Sequence, residues 1–384
     1  MTAADDSPPG AAEPPEPAYF DHAGFGRLRP VAVDAMRAGL QDVLPHGSAR
    51  IGPLFAARAE ARRSAARLLA CTPQEVAFVP NTSTGVHLVA DGLRWRPGDQ
   101  VVLFDRDFPA NIRPWQRLER QGVTLSWVPM RHGGYQPADI AAAITPATRL
   151  VAVSHVNFAT GFRCDLDLVC ALAAEVGALV SVDAVQSLGV LPLSTADTPV
   201  DFLAAGAHKW LGGPPGTGIF YCRAERLELL HSTPTGWFGF EGAAEVSKGP
   251  GWLRYDLPER ASAARVEGGM YDVLGMAGLA AVLAELESVG STAVAARALA
   301  LAGRIRTAAV ELGFTSAIPG ESDPCSPVVS FSKGPADLVR MVDELAAGGI
   351  SVSIPDGMLR ISPHYWTTDR EVDLLLAALA GYKP

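Results

Sequence analysis

From Tyr19 onward, short apolar runs alternate with longer stretches whose apolar residues recur at helical spacing. The runs are EVAFV at 75–79, QVVLF at 100–104, VTLSWV at 123–128, RLVAVS at 149–154, ALVSVD at 178–183, DFLAA at 201–205 and GIFYC at 218–222. Runs that are apolar at nearly every position read as strands buried on both faces. Between them lie helical patterns such as LDLVCALAAEV at 166–176. Buried strands separated by helices predict an α/β fold, a largely parallel sheet with helices on both faces, from about residue 50 to about residue 265.

Beyond that point the pattern changes. Residues 273–290 and 291–313 are long Ala- and Leu-rich helical stretches. Short strand-like runs follow, SPVVSFS at 326–332 and ISVSIP at 350–355, with a helix between them from Ala336 to Ala347 and another from Thr368 to the end. This predicts a smaller α+β domain. The expected organisation is a disordered leader over 1–18, a segment over 19–45 packing with the small domain, a large domain over 46–272 and the small domain over 273–384.

Composition narrows the function classes. Of 384 residues, 48% are apolar and 19% charged, which is ample for a core and gives no sign of global disorder. The net charge of −9 and the lack of a basic stripe argue against nucleic-acid binding. No apolar run reaches the roughly 18 residues of a membrane span. The start is acidic and Pro-rich, unlike a signal peptide. Five scattered cysteines, Cys71, Cys164, Cys170, Cys222 and Cys325, suggest a reducing cytoplasm. The eight histidines show no metal-ligand spacing.

Three short stretches carry candidate chemistry. In AAGAHKWLGGPPGTGIFY (204–221), Lys209 stands between a strand and a Gly/Pro-rich turn. A lysine desolvated there is a Schiff-base nucleophile; otherwise it is an ordinary loop lysine. In VSVDAVQSLG (180–189), Asp183 closes an apolar strand, where a carboxylate needs a partner. A pyridinium nitrogen would be one, and a helix start would be another. Lys209 follows 26 residues later, enough to place both side chains at the same end of neighbouring strands, where open α/β sheets bind ligands. In VPNTSTGVHLVADGL (79–93), Asn81 to Thr84 open a helix after a strand, as an anion site or as plain capping.

Together these stretches make the chain resemble the class V aminotransferase family of fold-type I enzymes that use pyridoxal 5'-phosphate (PLP). Cysteine desulfurases and isopenicillin-N epimerases are among its members. The resemblance extends through YFDHAGFG (19–26), DFPANIRPWQ (107–116), SHVNFATGFRCDL (154–166) and LRISPHYWTTDREVD (359–373). It implies that Lys209 carries PLP as a Schiff base and moves protons. It implies that Asp183 meets the pyridine nitrogen, Gln186 the ring oxygen and Phe108 the ring face. Thr82, Ser83 and His208 are implied to bind the phosphate, and Arg360 to grip the α-carboxylate of an amino-acid substrate. Asn111 and Asn157 lie in blocks that line the pocket of such enzymes. Read without the resemblance, Arg360 would pair with an acidic neighbour such as Asp356. The resemblance also implies a homodimer, with RVEGGMYD (265–272) reaching the other subunit's site.

Several positions depart from the family pattern. Desulfurases usually carry a His where this chain has Phe108, and a catalytic Cys on a loop shortly before the carboxylate-binding Arg. Residues 345–359 contain no Cys, and Cys325, further upstream, reads as a buried or incidental thiol. The epimerases commonly have a His at the position of Gln186. Met270 stands where a Thr is frequent, and Gly206 where a Ser is. The expected activity is PLP-dependent chemistry on an amino acid through loss of its Cα proton, foremost transamination. The alternatives are a β-eliminating C–S lyase or desulfurase-like enzyme, then an epimerase. A non-catalytic protein on a PLP scaffold is the alternative of another class, and it would be expected to lose Lys209 or Asp183.

Overall fold

A computed structural model describes residues 17–231, 236–242, 249, 251, 253–320, 326–334 and 337–382. The leader up to residue 16 and Cys325 lie outside the described residues.

The chain begins with β1 (Ala18–Tyr19), α1 (Pro30–His46) and α2 (Gly52–Leu69). Next come β2 (Val76–Val79), α3 (Thr82–Gly92), β3 (Gln100–Phe104), the short α4 (Arg113–Gln116), β4 (Thr124–Val128) and α5 (Pro137–Ala143). Then follow β5 (Thr148–Ser154), α6 (Leu166–Val176), β6 (Leu179–Asp183), β7 (Phe202–Gly206) and β8 (Gly218–Cys222). The last part holds α7 (Val273–Val289), α8 (Ser291–Glu311), β9 (Thr315–Ser316), β10 (Val329–Ser332) and α9 (Leu338–Ala347). It closes with β11 (Ile350–Ser351), β12 (Leu359–Ile361) and α10 (Asp369–Gly381).

The seven apolar runs form one sheet in the order β2-β8-β7-β6-β5-β3-β4. β8 is antiparallel to both its neighbours, and the remaining pairs are parallel. β6 and β7 are buried at every position, as a sheet covered on both faces requires. One face, including Val151, Val153, Val180 and Val182, packs against α2, α6 and α7. The other, including Val101, Leu103, Phe202 and Phe220, packs against α3. α3 lies close on β7, because a Cβ on Gly85 would stand 2.5 Å from the Ala204 Cβ. Only glycine permits that approach.

A third core joins β1, α8 and the C-terminal elements around Phe20, Ile305, Phe331, Ile361 and Leu375. β12, β10 and β9 form an antiparallel sheet there, and β1 pairs in parallel with β11. α7, at the boundary expected near residue 273, places Met276, Leu279, Val282 and Leu283 in the first core, and α8 runs from that core into the third. The expected strand over 350–355 shrinks to Ile350–Ser351, since Pro355 opens a turn. Arg360 instead lies in β12, three residues long and too short for a periodic signal. Among the described residues, no single helix is long and apolar enough to cross a membrane.

Candidate active site

The site lies where β5, β6 and β7 end. Ser154, Asp183 and Ala204 are aligned across those three strands. Asp183 is 3% exposed, and its Oδ1 accepts from the Val185 amide at 2.9 Å. Among the described residues no protein donor reaches its other oxygen. Burial pushes its proton affinity up, and the nearby Asp107 adds to this, while the Val185 hydrogen bond and Lys209 oppose it. Lys209 follows β7 by three residues. Burial lowers its proton affinity, and Arg360 adds to that, while Asp183 and Asp21 counteract it. A carboxyl inclined to keep its proton and an amine inclined to lose one are thus close enough to sense each other.

The Lys209 loop is held tightly. The Gly26 amide donates to the His208 carbonyl at 2.7 Å, and a Cβ on Gly26 would strike the Lys209 carbonyl oxygen. The Trp210 indole donates to Gln186 Oε1 at 2.9 Å, and Gln186 Nε2 donates to the Ala23 carbonyl at 2.9 Å. Gln186 therefore ties the N-terminal segment to the Lys209 loop and retains one N–H for any ligand. His364 bonds the Trp210 carbonyl at 2.8 Å, anchoring the same loop from the C-terminal side.

At the start of α3, Asn81 caps the helix by accepting from the Thr84 amide at 2.9 Å. The first amides of a helix have no partner within it, so those of Thr82 and Ser83 remain available to an anion. Thr82 Oγ1 accepts from the Gly206 amide at 2.9 Å, which ties the helix start to the end of β7. Gly206 has a steric reason to lack a side chain: a Cβ there would stand 2.8 Å from the His208 ring. The imidazole occupies the space that a serine would need.

Phe108 is 42% exposed, with its ring centroid 5.6 Å from Lys209 Nζ and 5.2 Å from Phe158 in edge-to-face contact. Its amide donates to Asp107 Oδ1 at 2.7 Å. Asp107, not singled out from the sequence, is a buried hub that also accepts from Ser154 Oγ at 2.7 Å and Asn111 Nδ2 at 3.0 Å. Asn111 is therefore packed behind the Phe108 turn, with its own Oδ1 unpartnered.

Two expected substrate contacts are already engaged within the chain. Asn157 Nδ2 donates to the Arg106 carbonyl and the Tyr135 hydroxyl, while its Oδ1 accepts from Ala159, Thr160 and the Thr160 hydroxyl. These bonds saturate its amide and shape the loop. Arg360 is 5% exposed and donates from Nη2 to Asp21 Oδ1 at 2.9 Å, from Nη1 to the Phe158 carbonyl at 2.9 Å and from Nε to Ser353 Oγ at 3.1 Å. Its acidic partner is Asp21, not Asp356, which pairs with Arg106 at 3.2 Å. Asp21 was missed although it gives the same signal as Asp183, an acid directly after an apolar run.

These residues fit PLP on their own chemistry. An amine of lowered proton affinity, a buried carboxyl with a free oxygen, a helix start with open amides and an aromatic face come together near the ends of β5, β6 and β7.

The comparisons point the same way. The family model described as aminotransferase class-V matches residues 18–375. A probable cysteine desulfurase of Methanothermobacter thermautotrophicus is 30% identical over 346 residues, 84% of this chain and 83% of that one. The isopenicillin N epimerase of Streptomyces clavuligerus is 29% identical over 83% of each chain. The cystine C–S lyase C-DES, solved with its reaction product cysteine persulfide, is similar with a TM-score of 0.87 and 27% identity, over 96% of this chain and 99% of that one. With a fold and a sequence that agree over nearly its whole length, this chain belongs to the class V aminotransferase family of PLP-dependent enzymes.

Proposed function

We propose that the enzyme is a β-eliminating C–S lyase acting on a cysteine-derived amino acid. The observation that carries this reading is that, in a fold shared with a cystine C–S lyase, no thiol among the described residues is placed for sulfur transfer; Cys325 lies outside those residues. Cys164, Cys170 and Cys222 are buried and Cys71 partly so. Burial pushes the thiols of Cys71, Cys170 and Cys222 up to about 12 and that of Cys164 higher still. Such thiols are not nucleophiles at neutral pH. A desulfurase needs a protein thiol to accept the sulfur, whereas an elimination does not. The likeness to a cystine C–S lyase and to a probable cysteine desulfurase supports the sulfur chemistry, an alternative at the outset, over transamination.

PLP, when bound, supplies an electron sink for the amino acid's Cα. Thr82, Ser83 and His208 would hold its phosphate, Asp183 its ring nitrogen and Phe108 its face. Lys209, whose burial favours the neutral amine, takes the Cα proton. The Cβ–S bond then breaks and the sulfur departs with the bonding pair, as a thiol or persulfide once protonated. Addition of water to what remains of the substrate would give a 2-keto acid and ammonia. No net oxidant or reductant is consumed. Arg360 orients the substrate through its carboxylate, in exchange with Asp21.

The test is the product balance of the holoenzyme with cystine or S-methylcysteine and no added keto acid. Pyruvate and ammonia in equal amounts support elimination. Alanine as the carbon product, or turnover only after a keto acid is added, refutes it.

We also infer a homodimer with the site at its interface. Glu267 fixes the 265–272 block by accepting from the Phe78 amide at 2.7 Å and from Arg62 at 2.9 Å, and leaves Met270 62% exposed. Two-fold dimers are the commonest oligomers. A monomer with full activity in sedimentation and dilution assays would contradict this.

A further inference from the structure

Among the described residues, four non-glycine residues hold a left-handed backbone: Ala70, Arg106, His132 and Asp356. Ala70 ends α2, where such a residue is an ordinary helix stop. His132 sits in the tight turn closed by Arg131 and Gly134. Arg106 and Asp356, 250 residues apart, meet each other, with Arg106 Nη1 3.2 Å from Asp356 Oδ2. Arg106 precedes Asp107 and Phe108. Asp356 lies in the turn Pro355–Gly357, four residues before Arg360. The pair thus joins the loop that carries Phe108 to the turn that leads into β12 and Arg360.

The exposed pair alone does not account for the Arg106 backbone, whose carbonyl is also held by Asn157 Nδ2 at 3.1 Å. An arginine in the left-handed region is strained by its Cβ against the carbonyl, and this strain exceeds what an exposed, single-bonded ion pair returns. Side-chain exposures of 63% and 52% put both groups at the solvent edge. The single bond leaves Arg106 Nη2 and Asp356 Oδ1 available. A guanidinium and a carboxylate held side by side match the carboxylate and ammonium of a free α-amino acid. Strain of this kind persists where surrounding structure and function require it.

We propose that Arg106 and Asp356 form a second head-group subsite, and that the substrate class is an amino-acid disulfide with a zwitterion at each end. One end enters toward Lys209 and Arg360. The far carboxylate lies on Arg106 and the far ammonium on Asp356. Between the ends, the two sulfurs would lie against Phe108, whose ring meets that of Phe158 edge to face at 5.2 Å. This inference rests on the C–S lyase reading.

The experiment compares cystine with S-methylcysteine, which lacks the far head group, on holoenzyme carrying Arg106→Gln or Asp356→Asn. Two quantities are read: KM for pyruvate release, and the dissociation constant from the cofactor's absorbance change on adding the amino acid. The cystine-to-S-methylcysteine ratio of each should rise on the order of tenfold, the size of one charge-assisted hydrogen bond near solvent. Equal changes for both compounds would overturn the subsite and make the pair a latch between loops. If wild type makes pyruvate from neither compound, the lyase reading falls, yet the dissociation constants still decide the subsite. A wild-type enzyme that binds cystine no more tightly than S-methylcysteine overturns it. Because Asp356→Asn tests the subsite independently, misfolding of the Arg106 variant would not leave the question open.

Discussion

Arg360 Nη2 donates to Asp21 Oδ1 at 2.9 Å, so the guanidinium expected to meet a substrate carboxylate already holds one from its own chain. A buried guanidinium needs an anion, and Asp21 supplies it before any ligand arrives. An incoming carboxylate must share or displace that contact.

Two variants test this exchange. Arg360→Lys keeps the charge but loses the fork, so amino-acid binding should weaken by about 2 kcal/mol while cofactor absorbance stays unchanged. Asp21→Asn removes the competing charge and keeps an acceptor. It should tighten amino-acid binding severalfold while costing the ligand-free protein about 2 kcal/mol, because the guanidinium loses its counter-charge. Spectroscopic titration and thermal unfolding read both effects. Unchanged affinity in both variants would move the carboxylate site elsewhere.

Lys209 and Asp183 separate covalent capture from proton holding. Borohydride reduction and peptide mapping should place the pyridoxyl group on Lys209. Asp183→Ala should retain the cofactor but lower kcat on the order of a hundredfold or more, because no carboxyl then faces the ring nitrogen. An adduct on another lysine, or wild-type turnover in the Asp183 variant, would undo these assignments.

Gly206→Ser inserts the residue that the family pattern favours at this position. Here it should destabilise by roughly 1–3 kcal/mol and weaken PLP binding, since the new Cβ meets the His208 ring. Adding His208→Ala should recover most of the stability, because the two changes act on one space. Additive losses in the double variant would show that the clash is not the cause.

Acid should destabilise the protein between about pH 6.5 and pH 4. Burial lowers His22 from 6.5 to about 4, and His364 shifts in the same direction. In this window the unfolded chain takes up protons that the folded chain refuses. The stabilising contribution is therefore complete above pH 6.5 and lost as pH falls toward 4. For His22 alone this is on the order of 3 kcal/mol. Unfolding midpoints measured against pH should fall less steeply for His22→Gln; an identical slope would exclude His22 as a contributor.

The sequence alone determined much of the large sheet. Strands such as 100–104 and 218–222 lie where the apolar runs put them, because residues buried on both faces leave a local, unbroken signal. The same local logic marked Lys209 and Asp183, each a charged residue at the end of such a run. Only the tertiary structure paired Asp21 with Arg360 across 339 residues, made Asp107 the hub beneath Phe108 and filled the space beside Gly206 with His208. It also spent the Asn157 amide on its own loop and packed α7 into the first core. Hydrophobic periodicity records which face of a segment is buried. It carries no information about which distant side chain that face will meet, and hydrogen bonds and close contacts are settled by those meetings.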